Sequence, residues 1–307
     1  MPTTPVETVL NRDISKAVAQ PFIDRFCPVL DEIVNYGTNL YKRATYRMTD
    51  LLTADGVPIL IYANVLEMTD AISVMLRESS VTPAIPVVRA SYESTLAYEY
   101  IFESDTTNRS HAWLVAYLLE QIDWADKILG TGKSGQQFHA ALKDDSVGAN
   151  IDLAPFVPIA TKQKAEFQDI LDKPEFAAAV AERNRLLKKN PFPHWYTSFG
   201  GPTNLRQLAE RLKREAQYIV LYKQFSAISH GQNLARFVKR AASKDPLVRL
   251  LRDPGDFTQV AMFAITFAVR CTRLLSNRLN EDQHVNQWYI QEIQPGFMGA
   301  DAATSTR

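Results

Sequence analysis

The sequence is poor in cysteine, carries no net charge and lacks an apolar run long enough to cross a membrane. Its two cysteines, Cys27 and Cys271, lie far apart in apolar helical surroundings. We therefore predict buried free thiols in a reducing compartment, and two thiols exclude a cysteine-based zinc site. The 34 basic residues balance 34 acidic ones, so no global field draws the chain to nucleic acid or anionic lipid.

The longest strongly apolar run, residues 260–269, has about half the length of a membrane span and indicates a buried helix segment. The N-terminal sequence lacks the basic start and the apolar core of a secretory signal. The hydrophobic fraction of 46% is typical of a globular protein. We therefore expect a cytoplasmic protein with no membrane association.

Apolar residues recur at helical spacing along nearly the whole chain, and alternating strand patterns are missing. We predict an all-α fold, a bundle of about ten helices with no significant sheet. Residues 1–294 are expected to form a single helical domain and residues 295–307 a flexible tail. The predicted helices cover residues 6–19, 21–47, 56–80, 82–104, 107–130, 134–145, 160–188 with a break near Pro174, 204–214, 216–240, 256–280 and 282–293.

One segment near residue 220 carries hydroxyls and an imidazole where a helix core normally carries Leu, Ile and Val. At ~100° per residue, Tyr218, Tyr222, Ser226 and Ser229 share one stripe, and His230 lies on its flank. When such groups are buried, they must find hydrogen-bond partners or line a site. We therefore expect the functional site here.

A second polar pair lies on the predicted helix over residues 82–104. Arg89 and Glu93 are one turn apart on a helix that is apolar enough to be largely enclosed. One interpretation is an ordinary ion pair within the helix, which contributes little to stability when exposed. In the other interpretation, both residues meet the hydroxyl and imidazole stripe in one buried polar cluster.

The segment 190–203 is a predicted loop that is unusually rich in aromatic residues. Aromatic residues in loops either pack down or contact a ligand. In the first interpretation the loop covers the core with Phe192, Trp195 and Phe199. In the second it forms a lid over a pocket on the helix at 216–231.

Several of these motifs together resemble a known family. Arg89-x-x-Tyr92-Glu93, Trp195, the Leu-Ala pair at 208–209, Tyr218, Tyr222 and Ser226-x-x-x-His230 are similar to the pattern of a bacterial family of all-helical proteins. That family is known only as a domain of unknown function, numbered 5677. The resemblance covers roughly residues 30–280 and implies a helical fold and an intracellular bacterial protein. It implies no reaction.

Hydrolase and metal chemistry find little support in the sequence. Ser226 lies inside a predicted helix whose N–H groups are already committed, and the Gly-x-Ser-x-Gly elbow is absent. The five histidines lack the spacing of metal ligands. We predict no metal site and no cofactor.

Ribonuclease chemistry fits better. Helical nucleases of the HEPN type place an arginine a few residues before a histidine, a spacing that Arg278 and His284 share. Chance alone produces such a match, and Leu279 stands where a polar residue is usual, so this pair carries no weight. The alternative pairs His230, for proton transfer, with Arg89, for phosphate charge.

Two short basic segments flank the serine and histidine stripe. A solvated helix face is the usual meaning of such segments, and a surface for a phosphate-bearing ligand is the alternative. Their residues are Arg206, Arg211, Lys213 and Arg214 before the stripe, and Arg236, Lys239, Arg240 and Lys244 after it.

We predict a protein that binds nucleic acid or acts as a defence-type, metal-independent ribonuclease, with RNA or another phosphate-bearing ligand as its partner. Arg89 holds phosphate and His230 acts as acid or base in this prediction. The residues that orient them are Glu93, Tyr222 and Ser226.

The predicted ligand-binding residues are Ser229, Trp195 and Arg236. The competing prediction is a non-enzymatic helical interaction or scaffold protein, in which the same polar cluster fixes the register of the helices. A homodimer fits a helical protein of this kind, although no heptad seam requires one.

Overall fold

The computed structural model describes residues 10–46, 48, 50, 52–225, 238–240, 246–248 and 252–298. The fold is all-α, as predicted: a bundle of helices. The α-helices of the described residues are α1 (Arg12–Thr45), α2 (Gly56–Arg77), α3 (Val81–Glu103), α4 (Thr106–Leu129), α5 (Gly132–Asp144), α6 (Val157–Leu171), α7 (Ala177–Leu187), α8 (Leu205–Arg211), α9 (Glu215–Ile219), α10 (Phe257–Arg278), α11 (Asp282–Trp288) and α12 (Gln294–Met298).

Contacts between residues divide the chain into two compact units. The first consists of Met1–Leu51, Pro58–Glu103 and Leu205–Arg307. The second consists of Leu52–Val57 and Ser104–Asn204. These units are compact, but compact units do not necessarily fold independently. The single domain over residues 1–294 therefore stays a prediction.

The two N-terminal helices that we predicted on either side of residue 20 form one helix, α1. Pro21 and Pro28 lie inside it. A proline within a helix removes one backbone hydrogen bond. α1 offsets this cost by burying a face that includes Phe26 and Leu30. Its first turn is also capped, because the side chain of Asn11 accepts a hydrogen bond from the backbone N–H of Ile14.

The helix at the centre of the first unit is α10, which packs against α1 and α3. Val260, Ala264, Phe267 and Cys271 recur at spacings of three and four residues and are all buried. The Phe267 ring lies 5.4 Å from the ring of Tyr92 on α3. Truncating such a buried ring costs about 3–5 kcal/mol.

One described helix, α2, passes the length and composition criterion of a membrane span. An 18-residue window of it has a mean hydropathy of 1.5, and 50% of that window is buried inside the protein. Core helices of soluble proteins and signal sequences meet the same criterion, so α2 is weak evidence for a span. The absence of membrane association therefore stays a prediction.

The second unit is built on α4, which packs against α5, α6 and α7. A close approach between α4 and α5 requires Gly135, because a Cβ there would lie 2.3 Å from the backbone oxygen of Asp126. Lys164 on α6 adds an ion pair of 2.6 Å with the Asp126 carboxylate. The predicted break near Pro174 is confirmed, since a 3₁₀ turn at Pro174–Phe176 separates α6 from α7.

The chain after α9 differs from the predicted helix over residues 216–240. It continues as a π-helix at Val220–Gln224. Two short strands follow, β1 (Val238–Arg240) and β2 (Pro246–Val248), and they pair antiparallel. The prediction of helix at residues 238–240 is therefore wrong. Pro246 stands at the first position of β2, where a strand tolerates proline.

The last helix, α12, includes residues 295–298, which we predicted as the start of the tail. Gly296 permits its contact with α1, because a Cβ there would lie 2.4 Å from the side chain of Val29. The predicted tail residues 299–307 lie outside the described residues.

Candidate functional site

Three side chains from α3 and the π-helix meet in the first unit. We call Arg89, Glu93 and Tyr222 the Arg89 cluster. Nε of Arg89 lies 3.5 Å from Oε1 of Glu93, and the guanidinium carbon of Arg89 lies 3.9 Å from the centroid of the Tyr222 ring. The Tyr222 hydroxyl donates a hydrogen bond to Oε1 of Glu93. The structure thus brings together three of the five candidate catalytic residues, whose catalytic roles stay predictions.

The Arg89 cluster is partly open to solvent. The side chains of Arg89 and Glu93 are 23% and 46% exposed, because α3 turns its buried face, with Val88 and Tyr92, toward the core. Our expectation that the pair is largely enclosed is therefore wrong for Glu93. Tyr222 nevertheless contacts both members of the pair from another element, which an ordinary ion pair within one helix lacks.

The electrostatics of the cluster assign a donor role to Tyr222. Burial, and next the hydrogen bond to Glu93, raise the pKa of Tyr222 above its ordinary value. The phenol therefore stays protonated at physiological pH and donates to the carboxylate.

The π-helix places Tyr222 against α3. Its hydrogen bonds join residues five apart instead of four, as where the N–H of Phe225 donates to the oxygen of Val220 at 3.3 Å. Such π segments are frequent at functional sites. The rings of Tyr218 and Tyr222 stack with centroids 4.7 Å apart, so the predicted stripe is confirmed for these two residues.

Four of the predicted site residues fall outside the described part of the chain: Ser226, Ser229, His230 and Arg236. Their positions relative to the Arg89 cluster, and with them the pairing of His230 with Arg89, stay predictions.

Trp195 lies in the second unit, where it lines a cleft of about 730 Å³ between α4, α7 and residues 191–195. Trp113 and Tyr117 of α4 also line this cleft, with parallel rings whose centroids are 5.5 Å apart. Nη1 of Arg183 on α7 donates to the backbone oxygen of Pro193 and so anchors the loop. The ligand-binding role of Trp195 stays a prediction.

The aromatic loop leaves two of the three rings that the first interpretation placed over the core exposed, and the lid interpretation stays a prediction. Phe192 and Phe199 are 84% and 44% exposed, whereas Tyr196 is buried. The prediction that Phe192 and Phe199 cover the core is therefore wrong. The backbone N–H of Phe199 is instead held by Oε1 of Glu182 at 3.0 Å, which fixes the end of the loop on α7.

The basic segment at residues 206–214 is largely neutralised by carboxylates. Arg206 pairs with Glu210 and Glu215 at 2.9 Å each. Arg211 pairs with Glu103 at 2.8 Å. These ion pairs favour the interpretation of this segment as a solvated face. The basic residues at 236–244 either lie outside the described residues or have side chains that are not described.

Sequence reasoning missed a buried carboxylate on α3. Glu99 is 8% exposed, and it pairs with Arg214 at 3.2 Å and with Arg270 of α10 at 3.0 Å. Nη1 of Arg270 also donates to Gln217 at 3.4 Å. The sequence places Glu99 seven residues after Tyr92, on the same face of α3, and this spacing could have identified it as buried.

Within the described ranges no group of three or more histidine, cysteine, aspartate or glutamate residues could hold a metal ion. A comparison with models of protein families matches residues 55–245 to a family of unknown function, DUF5677. The match covers more than half of the chain. The chain belongs to this family. The resemblance that the sequence motifs indicated is thereby confirmed, while the bacterial origin stays a prediction.

All three residues of the Arg89 cluster lie inside the part matched to DUF5677, whereas α10 lies outside it. No curated protein matches the chain, and no solved structure matches it.

Proposed function

We propose that this DUF5677 protein binds RNA through the Arg89 cluster and cleaves it without a metal ion, with chemistry of the HEPN-like kind. The observation that carries the proposal is the Arg89 guanidinium held 3.9 Å over the Tyr222 ring while its side chain is 23% exposed. Stacking uses the flat face of a guanidinium and leaves its edge, which carries the N–H donors, for a phosphate.

Glu93 and Tyr222 position the guanidinium in this proposal. The same carboxylate oxygen of Glu93, Oε1, contacts Nε of Arg89 and accepts the hydrogen bond of Tyr222. Because the phenol is a neutral donor and the carboxylate an acceptor, neither needs to change its protonation state during a reaction. They therefore act as positioning residues for Arg89.

His230 supplies the proton transfer. As a general base it takes the proton of a ribose 2′-hydroxyl, whose oxygen then attacks the adjacent phosphorus. The bond from phosphorus to the 5′ oxygen breaks, this oxygen takes up a proton from water, and a 2′,3′-cyclic phosphate remains at the end of the 5′ fragment. Arg89 stabilises the charge that develops on the phosphoryl oxygens. Ser226 orients the imidazole, while Ser229 and Arg236 contact the RNA.

We place this activity in the cytoplasm of a bacterium, in defence or stress response, and we infer that the protein acts as a homodimer. Sedimentation equilibrium of the purified protein tests the dimer, for which the expected mass is twice that of the chain. A mass equal to that of one chain contradicts it.

The test of the ribonuclease is cleavage of single-stranded RNA by purified protein in the presence of EDTA. Wild type, His230→Ala and Arg89→Gln are compared with Arg185→Gln, which removes an exposed guanidinium from α7. We expect wild type and Arg185→Gln to form products that end in a cyclic phosphate, and both site variants to lose about a hundred-fold in rate or more. Absence of cleavage by wild type, or equal cleavage by His230→Ala, refutes the proposal.

A second candidate is a non-enzymatic interaction protein in which the cluster fixes the register of α3 against the π-helix. The observation in its favour is that Glu93 already neutralises Arg89 and accepts from Tyr222. Under this alternative, Arg89→Gln lowers the unfolding temperature, and wild type neither binds nor cleaves RNA.

A further inference from the structure

A second polar site lies on α10, away from the Arg89 cluster residues in sequence and outside the part matched to DUF5677. It is a pocket of about 350 Å³ in the first unit, near the lower end of the size range of pockets that bind small molecules. Its polar lining comes from Thr266, Arg270, Arg273 and Tyr289. Its apolar lining includes Ile265, Val269 and Leu274.

Arg273 lacks a carboxylate partner among the residues that the structure describes. Its guanidinium carbon lies 4.1 Å from the centroid of the Tyr289 ring. The Nε atom of Arg273 is buried and has no hydrogen-bond partner in the described part of the chain. It is costly to leave a buried donor of a cation without a hydrogen-bond acceptor. The stacked Tyr289 ring orients the guanidinium but does not neutralise its charge.

Arg270, one turn before Arg273, is only partly compensated. It shares the Glu99 carboxylate with Arg214, so two guanidiniums face one carboxylate. Burial lowers the pKa of Arg270, and the nearby Glu99 opposes that effect. The excess positive charge is therefore concentrated at the wall of a pocket whose other side is aliphatic.

We propose that this pocket binds a small organic anion, an oxyanion carried on an apolar or aromatic body. The oxyanion pairs with Arg273 and Arg270, since guanidiniums bind carboxylate and phosphate oxygens through N–H groups. The apolar body lies against Ile265, Val269 and Leu274. The proposal is independent of the ribonuclease, because the pocket contains no residue of the Arg89 cluster.

Isothermal titration calorimetry with four probes tests the proposal on the full-length protein. Benzoate and phenyl phosphate carry the two forms of the oxyanion on one aromatic body, benzamide is the neutral isostere, and inorganic phosphate lacks the apolar body. We expect benzoate or phenyl phosphate to bind at least ten-fold more tightly than both benzamide and inorganic phosphate. The preferred probe of the two distinguishes a carboxylate from a phosphate ligand.

The matched variants are Arg273→Gln, Arg273→Lys and, as a control on the same helix, Arg278→Gln, which removes a cation that does not line the pocket. We expect Arg273→Gln to lose about ten-fold in affinity or more. Arg273→Lys, which keeps the charge but not the planar fork, loses less, and Arg278→Gln binds like wild type.

If circular dichroism shows that Arg273→Gln is unfolded, Arg273→Lys still decides the test. The lysine keeps the positive charge but lacks the planar guanidinium, so the proposal requires weaker binding by this variant. Three results overturn the proposal. They are no binding of either organic anion at millimolar concentration, binding of benzamide as tight as that of the organic anions, or the same change in affinity in the Arg273 variants as in Arg278→Gln.

Discussion

The ion-paired carboxylate on α3 offers the sharpest test of how the first unit is held together. Glu99→Gln keeps the shape of the side chain and removes the charge that faces Arg214 and Arg270. Glu99 is 8% exposed, whereas its two partners are 32% and 20% exposed. Breaking a fully buried pair costs about 3–5 kcal/mol. Because both arginines retain some contact with water, we expect a loss of about 2–3 kcal/mol.

A matched control lies one turn further along the same helix. Glu103 pairs with Arg211 at 2.8 Å, and these side chains are 32% and 39% exposed. Glu103→Gln is expected to cost at most about 1 kcal/mol, as is usual for exposed ion pairs. The free energy of unfolding is measured by urea titration with far-ultraviolet circular dichroism. In the double variant Glu99→Gln/Arg270→Gln the loss is smaller than the sum of the single losses. If Glu99→Gln and Glu103→Gln lower the stability equally, the argument from burial is refuted.

Three further predictions concern single side chains. Tyr222→Phe removes a phenol whose pKa is raised by burial and by its carboxylate acceptor. The stability that this phenol contributes is present below about pH 10 and is lost as the pH rises further. The stability difference between wild type and variant must therefore shrink in alkaline urea titrations, and a constant difference contradicts the assignment. Gly37→Ala places a Cβ 2.5 Å from the Leu66 side chain, which we expect to lower the unfolding free energy by about 1–3 kcal/mol; an unchanged urea midpoint shows that the contact yields freely. Burial raises the pKa of Cys27 to about 11 and that of Cys271 to about 12, so neither thiol reacts with a disulfide reagent at about pH 8 until urea unfolds the chain; rapid reaction in buffer alone contradicts their burial.

The helical architecture follows from local periodicity, and the sequence therefore predicts it well. α3 and α10 carry apolar residues at spacings of three and four, and both form within one or two residues of their predicted limits. The failure at Pro21 has a physical cause: packing of the buried face of α1 outweighs the loss of one backbone hydrogen bond. The low helix propensity of proline takes no account of this stabilisation by tertiary packing.

The candidate site could be predicted only where its groups share a helix or a simple stripe. Arg89 and Glu93 are four residues apart, so their pairing follows from helix geometry. The partners of Glu99 lie more than a hundred residues along the chain, and no local pattern selects them. The π-helix that presents Tyr222 is likewise absent from any 3.6-residue periodicity, because it is an exception to that periodicity.

The most direct test of the proposed phosphate contact is the salt dependence of RNA binding by wild type, Arg89→Gln and Arg185→Gln. Affinity for a fluorescein-labelled single strand is measured by anisotropy over a series of salt concentrations. Each phosphate contact contributes about 0.7 to the slope of log Kobs against log salt concentration. The account predicts that Arg89→Gln binds more weakly and with a slope smaller by about that amount, while Arg185→Gln matches wild type. Equal affinity and slope for all three proteins would contradict it.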